Sequence, residues 1–171
     1  MRHDDGSLRL ADPISGENQR IAAPAFARVD GAAASPDGKQ VIYAFRETNF
    51  PPVEMWIVNA DGRDARMLLE IPAVVTHMAW SPDGKKIAFH GEGWTVMDAD
   101  GSNLRHLGNL GLPQCLDVPP SWSPDSRWLA VVITGPAEGF CTPWDESVFK
   151  DANVLLIDIE NGKVQPILPD G

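Results

Sequence analysis

A four-residue turn, Ser-Pro-Asp-Gly, recurs along this 171-residue chain and limits what it can fold into. It stands at Ser35-Pro36-Asp37-Gly38 and at Ser81-Pro82-Asp83-Gly84, and returns without its glycine at Ser123-Pro124-Asp125-Ser126. The starts lie 46 residues apart (81 − 35) and then 42 (123 − 81). Proline pre-sets φ, aspartate tolerates the bridge region, and glycine takes the left-handed position. A turn of this kind reverses an extended chain on itself, so each copy predicts an antiparallel hairpin.

The residues around each turn repeat as well. A short strand precedes it (Ala32 to Ala34, Met78 to Trp80, Pro120 to Trp122) and a second follows (Gln40 to Phe45, Lys86 to Phe89, Arg127 to Ile133). A third strand then runs into an Asp-Gly or Asn-Gly signal at Asp61-Gly62, Asp100-Gly101 and Asn161-Gly162, the strongest short-range hairpin cue. A fourth closes each unit, around Arg66 to Leu69, Leu104 to Leu107 and Val164 to Leu168. Four short strands make a sheet too small to stand alone, and stacking against neighbours of the same kind is how such repeats bury their faces. The expected fold class is therefore all-β: a β-propeller segment of three four-stranded antiparallel blades, spanning 31–70, 77–108 and 119–168. With the four strands of a blade lettered A (innermost) to D in chain order, residues 7–22 read as an N-terminal half blade, the outer strands C and D of an earlier sheet. Neither end supplies the missing inner strands. The expectation is a single partial propeller over 1–171 whose remaining blades belong to a longer chain.

Trp80 and Trp122 precede the turn at equivalent positions and are expected as core residues wedged between blades. The sequence WSPDGKKIAF followed by VMDADGSNLRHL resembles the TolB-type propeller repeat, a relative of the WD repeat. The resemblance covers roughly residues 7–168 and is strongest in the middle blade. The chain departs from the repeat at Ser126, where the turn glycine is missing, and in the first blade, whose inner strand is alanine-rich and lacks the tryptophan. The resemblance implies the propeller fold and says little about function. Proteins with such repeats include the periplasmic TolB component of cell-envelope machinery and the propellers of prolyl-oligopeptidase-like and tricorn-like peptidases.

Composition narrows the partners. With 14 basic against 24 acidic residues the formal charge is −10, which repels phosphate backbones, so nucleic acid is not an expected partner. No apolar run approaches the ~18 residues of a membrane span, and no membrane insertion is expected. The first ten residues, MRHDDGSLRL, lack the apolar stretch of a secretory signal, although a mature or truncated chain would look the same.

No catalytic constellation is visible, and no catalytic residue is assigned. A G-x-S-x-G nucleophile elbow is absent from the sequence, and the peptidase relatives keep theirs in a separate α/β domain. His3, His77, His90 and His106 show no ligand spacing, and the two cysteines form no C-x-x-C pair, so neither metal nor cofactor is expected. The stretches NADGRD at 59–64 and DADGSN at 98–103 superficially resemble calcium loops but lack a distal bidentate glutamate. They read instead as tight hairpins whose aspartates cap backbone N–H groups.

In a propeller the B–C and D–A connections emerge on one rim, and there the chain spends residues that folding does not require. The B–C connection of the second blade is only Gly91 to Gly93. That of the first carries Phe50 between Arg46 and Pro52, and that of the third, from Gly135 to Ala152, carries Phe140, Trp144, Asp145, Glu146 and Phe149. Long connections in compact domains tend to carry function, and aromatics braced by proline suit the anchors of a binding surface. The competing reading is that these aromatics pack beneath their own loop. Cys115, in the D–A connection, and Cys141, in the third B–C connection, fall on the same rim. A disulfide between them requires the Cα atoms to approach about 5.5 Å. The alternative is two thiols in a reducing compartment, whereas a bridge would argue for a periplasmic or extracellular setting. The Ser-Pro-Asp-Gly face offers only short turns.

The reading these features favour is a non-catalytic platform binding a protein or peptide on the long-loop rim. One alternative is a substrate-gating propeller segment of a larger serine-peptidase-like enzyme. A further one is a carbohydrate-binding propeller that uses Trp144 for stacking and Asp145 or Glu146 as acceptors.

Overall fold

The computed structural model describes residues 8–11, 18–22, 28–46, 52–75, 77–91, 93–107, 119–133 and 153–167. They form fourteen strands and no helix. The chain divides into two compact units, Met1–Thr76 and His77–Gly171.

The first unit holds β1 (Leu8–Ala11), β2 (Asn18–Ala22), β3 (Arg28–Ala34), β4 (Gln40–Arg46), β5 (Val53–Asn59) and β6 (Arg66–Ile71). β1 and β2 pair as an antiparallel hairpin, and β3 to β6 form one four-stranded antiparallel meander, blade 1. Alternation sorts the side chains of this blade onto two faces. Val41, Tyr43, Phe45 and Val58 cluster on one, with Val29 and Trp56 packed against them. Ile42, paired with Ile57, and Ala44, paired with Met55, lie on the other, and all four are buried. A sheet apolar on both faces is what a sandwiched blade requires. β3 starts earlier than the alanine run suggests, and its pairing with β4 shifts register between Val29 and Gly31, placing Asp30 at the irregularity.

The second unit holds two meanders. Blade 2 is β7 (His77–Trp80), β8 (Lys86–His90), β9 (Trp94–Asp98) and β10 (Arg105–His106); blade 3 is β11 (Ser121–Trp122), β12 (Trp128–Ile133), β13 (Asn153–Asp158) and β14 (Val164–Pro166). They bury a shared cluster: Ala88, Trp94 and Val96 from blade 2 meet Leu129, Val131, Ile157 and Ile159 from blade 3, with Trp122 packed alongside. Trp80 is buried, and Trp122 donates its Nε1–H to the Ala79 carbonyl of blade 2 at 3.2 Å. Trp122 thus takes the inter-blade role expected of it, and Trp80 is a buried residue of blade 2.

The repeated turn has the same wiring in all three blades. The first serine donates its hydroxyl to the aspartate (Ser35 to Asp37 and Ser81 to Asp83 at 2.7 Å, and Ser123 to Asp125). That serine oxygen also accepts the N–H of the first residue of the following strand, or its neighbour, at Gln40, Lys86 and Trp128. The aspartate also accepts one backbone N–H, from Lys39, Lys85 or Arg127. The fourth residue is left-handed each time, with φ of 70° at Gly38, 70° at Gly84 and 61° at Ser126. A side chain is normally costly there. Ser126 is discussed below.

Candidate functional site

Each sheet has two dissimilar ends. At one end every connection is a short hydrogen-bonded turn. Beside the Ser-Pro-Asp turns lie the third-to-fourth strand turns, where Asp61 accepts from the Arg63 N–H at 3.0 Å and Asp100 from the Ser102 N–H at 2.8 Å. In the would-be calcium loops Asp61 and Asp100 therefore serve as backbone caps, while Asp64 and Asp98 accept from the side chains of Asn59 and of Asn103 and Lys86. The two sets of turns are tied together by Ala60, Ala99 and Ile159, whose N–H groups reach the Lys39, Lys85 and Arg127 carbonyls.

Between blades 2 and 3 this turn end opens into a groove of about 650 Å³. Its floor includes Val96 and Ile159, and its walls carry four basic residues (Lys85, Lys86, Arg105, Arg127) and four acidic ones (Asp83, Asp98, Asp125, Glu160). Balanced charge makes it a trap for neither anions nor cations, and the charges are already in use. Lys86 Nζ binds Asp98 at 2.9 Å, and Arg127 binds Asp158 at 2.9 Å. Arg105 donates one Nη to the carbonyls of Ile159 (2.6 Å) and Glu160 (2.8 Å). Asp98 is held below the usual carboxylate range by hydrogen bonds from Asn103 and then Lys86. Asp158, only 1% exposed, is lowered chiefly by Arg127, whose own guanidinium is held more firmly protonated in return. The groove is a wired seam between sheets.

The other end is different. In blade 3, β12 and β13 stay paired up to Ile133 and Asn153, and the long stretch with Phe140, Trp144, Asp145, Glu146 and Phe149 leaves and returns there. In blade 1, Arg46 and Val53 bracket the stretch with Phe50 in the same way. These six residues, and Cys115 and Cys141, lie outside the described residues. The turn residues Pro36, Asp37, Gly38, Pro82, Asp83, Gly84, Pro124 and Asp125 all lie at the opposite end, in the turns assigned to them.

Residues not singled out in the sequence stand at the long-connection end of each sheet, and each sheet is taken by itself. In blade 2, His77 pairs across the strands with His90, and His90 with Trp94. The His90 ring meets the Trp94 indole edge-on at 5.0 Å. Burial, and then the neighbouring His77, pushes the His90 pKa down, so the imidazole is neutral at neutral pH. The Trp94 Nε1–H is buried and meets no acceptor among the described residues. In blade 1, Asp30 and Arg46 form an ion pair at 3.1 Å, with side chains only 4% and 7% exposed, at the register shift of β3. Spacing alone did not reveal these pairs, because cross-strand register brings together residues 13 to 16 apart (90 − 77 and 46 − 30). No cluster of three metal-ligating side chains occurs among the described residues.

Three four-stranded antiparallel meanders built on one repeat define this chain as a β-propeller segment. Its fold is that of solved TolB and oligogalacturonate lyase propellers. A putative TolB from Agrobacterium tumefaciens superposes with a TM-score of 0.68 at 20% identity, over 95% of this chain and 56% of that one. An oligogalacturonate lyase in complex with manganese gives 0.70 at 18% identity, over 98% and 49%. A puromycin hydrolase mutant gives 0.61 at 21%, over 88% and 23%. These likenesses are of fold alone. In sequence, the chain is 38% identical over 68 residues to dipeptidyl-peptidase 5 of Porphyromonas gingivalis, covering 37% of this chain and 10% of the peptidase. It is 22% identical over 178 residues to a tricorn protease homolog of Saccharolobus solfataricus, covering 84% and 16%. The chain thus spans a tenth to a sixth of these curated relatives and about half of the first two solved structures. No protein-family model matches it.

Proposed function

We propose that this chain is a non-catalytic part of a larger propeller protein that binds a protein or peptide through its long connections. The observation that supports this reading is the asymmetry of the sheets. One end is closed by turns whose polar groups are satisfied internally, while the other carries every long insertion. Within blade 3, Phe140, Trp144 and Phe149 are the apolar anchors of that surface, and Asp145 and Glu146 supply acceptors for a basic or amide-bearing segment. Phe50 serves the same purpose in blade 1.

The test is to pan the chain against a random peptide display library and measure the selected peptides on Trp144→Ala, Phe149→Ala and Phe50→Ala variants. A binding anchor loses roughly tenfold or more in affinity, about 1.4 kcal/mol, with the melting temperature nearly unchanged. Loss of stability without a specific loss of binding would mean that the aromatics only pack beneath their own connection.

The similarity to dipeptidyl-peptidase 5 and to the tricorn homolog supports a second reading, in which the same surface gates or orients substrate for a hydrolase domain. The reading frame beyond Gly171 separates the two. An α/β-hydrolase domain with a G-x-S-x-G elbow favours the second, and further Ser-Pro-Asp-Gly blades followed by a stop favour the first.

A further inference from the structure

Three side chains of blade 2 stand side by side across its strands at the long-connection end: His77 in β7, His90 in β8 and Trp94 in β9. Directly opposed residues on neighbouring strands share one face of a sheet. Here it is the face that Ala88, Trp94 and Val96 turn toward blade 3. The fold does not ask for histidine in this row. The same places of the repeat hold Gly31, Ala44 and Met55 in blade 1, and Val132 and Val154 in blade 3. Small or apolar side chains therefore suffice for packing there. Blade 2 departs from them twice, and the two departures are neighbours.

We propose that His77 and His90 form a two-imidazole chelate for a divalent transition-metal ion of the zinc and nickel class. Both side chains are part-exposed, so an ion can reach them from solvent. The Trp94 indole, itself 3% exposed, braces the His90 ring edge-on at 5.0 Å, and a ring already held loses less freedom on binding. The spacing suits a chelate. Cβ atoms of a directly opposed pair lie roughly 4.5–5.5 Å apart. Two nitrogens on one tetrahedral zinc ion, each at about 2.0–2.1 Å, lie roughly 3.3 Å apart, and two imidazoles on such a pair can converge on that distance. The donor set selects the ion. Imidazole suits zinc, nickel and copper, whereas calcium and magnesium take oxygen ligands, and no carboxylate shares this row among the described residues. The formal charge of −10 raises the local concentration of cations. Two protein ligands leave the remaining coordination positions to water. His77 opens β7 and His90 closes β8, so a bound ion joins the two strands at the end opposite their Ser81–Gly84 turn.

The experiment titrates the full chain with Zn2+ alone at neutral pH and follows the histidine side chains by long-range proton–nitrogen NMR. The His77 and His90 resonances shift together, and calorimetry gives a single ion for the pair. Ca2+ and Mg2+ leave both imidazoles unshifted. His77→Gln and His90→Gln each weaken zinc binding roughly tenfold or more, because the second imidazole of a chelate binds intramolecularly. His106→Gln leaves the affinity unchanged. Zinc raises the melting temperature of the parent and not that of either glutamine variant. Zinc also takes thiolate, so a Cys115→Ser, Cys141→Ser double variant is titrated alongside and keeps the site. Unchanged affinity in both His77→Gln and His90→Gln would overturn the proposal, as would loss of binding in the double serine variant. A shift of one imidazole without the other would overturn it too, and that result needs no variant to fold.

Discussion

The backbone N–H of Asp83, in the first turn of blade 2, donates to the hydroxyl of Ser126 in the first turn of blade 3 at 3.0 Å. Ser126 is the position where the repeat loses its glycine, and its φ of 61° is left-handed. The substitution thus exchanges backbone ease within one turn for a hydrogen bond to the next sheet.

That exchange can be measured. Ser126→Ala keeps the left-handed side chain and loses the acceptor, so it should destabilise by about 1 kcal/mol. Ser126→Gly loses the same bond but relieves roughly 1 kcal/mol of backbone strain, and should lie within about 0.5 kcal/mol of the parent. Urea unfolding of both variants checks this. An alanine variant as stable as the glycine variant would mean that the left-handed backbone costs nothing here.

Arg105 is the second fastening. Its guanidinium donates to two carbonyls of the turn in blade 3 and lies where a Cβ on Gly162 would come within 2.7 Å of it. Arg105→Ala should cost about 2 kcal/mol, the magnitude of hydrogen bonds from a charged donor. Gly162→Ala should also destabilise, because φ there is +74° and the added methyl displaces the guanidinium. Measured together, the two changes should cost less than the sum of their separate effects, since both disturb one contact.

The buried seam behaves as a core. Leu129→Ala removes a side chain that is 0% exposed among Ala88, Trp94 and Val96, and should cost about 3 kcal/mol. Leu156→Ala, on the opposite and only part-buried face of the same sheet, should cost less than half as much. Chemical denaturation of the two variants side by side distinguishes the faces.

Stability should fall with acid in two stages. Burial lowers the folded pKa of His90 below its ordinary 6.5, so the unfolded chain binds the proton more readily. Stability is then full above about pH 6.5 and falls as the pH drops below it. His90→Gln should flatten that stage. The aspartates at 37, 83 and 125 are held below their usual value first by the serine hydroxyl of their own turn, Asp98 by Asn103, and Asp158 by Arg127. Their contribution is present above about pH 4 and is lost as the pH falls through the lowered values. A urea midpoint recorded against pH shows both stages, and a curve flat from pH 7 to 5 would remove the role assigned to His90.

The turns and the strand order were legible because proline, aspartate and glycine act within four residues of one another. Ser35, Ser81 and Ser123 announce three hairpins, and the hydrogen bonds follow the letters. The ends of β3 and β10 were less legible. Asp30 extends β3 backward through a register shift that serves its ion pair with Arg46, 16 positions away (46 − 30). Leu104 is apolar and was read as strand, yet it stands outside β10 and is 56% exposed. The groove was invisible for a related reason. Lys86 and Arg127 belong to different repeats, and nothing local in either indicates that they border the same space.

Only two residues of β10 pair with the sheet they belong to, and Arg105 is one of them. An outer strand so short would ordinarily fray first, independently of the rest. Here its side chain is tethered to the neighbouring sheet, so the margin of blade 2 cannot peel away without releasing the turn at Ile159 and Glu160. The two sheets should open as one cooperative element, and amide exchange at Arg105 and His106 should keep pace with that of blade 3.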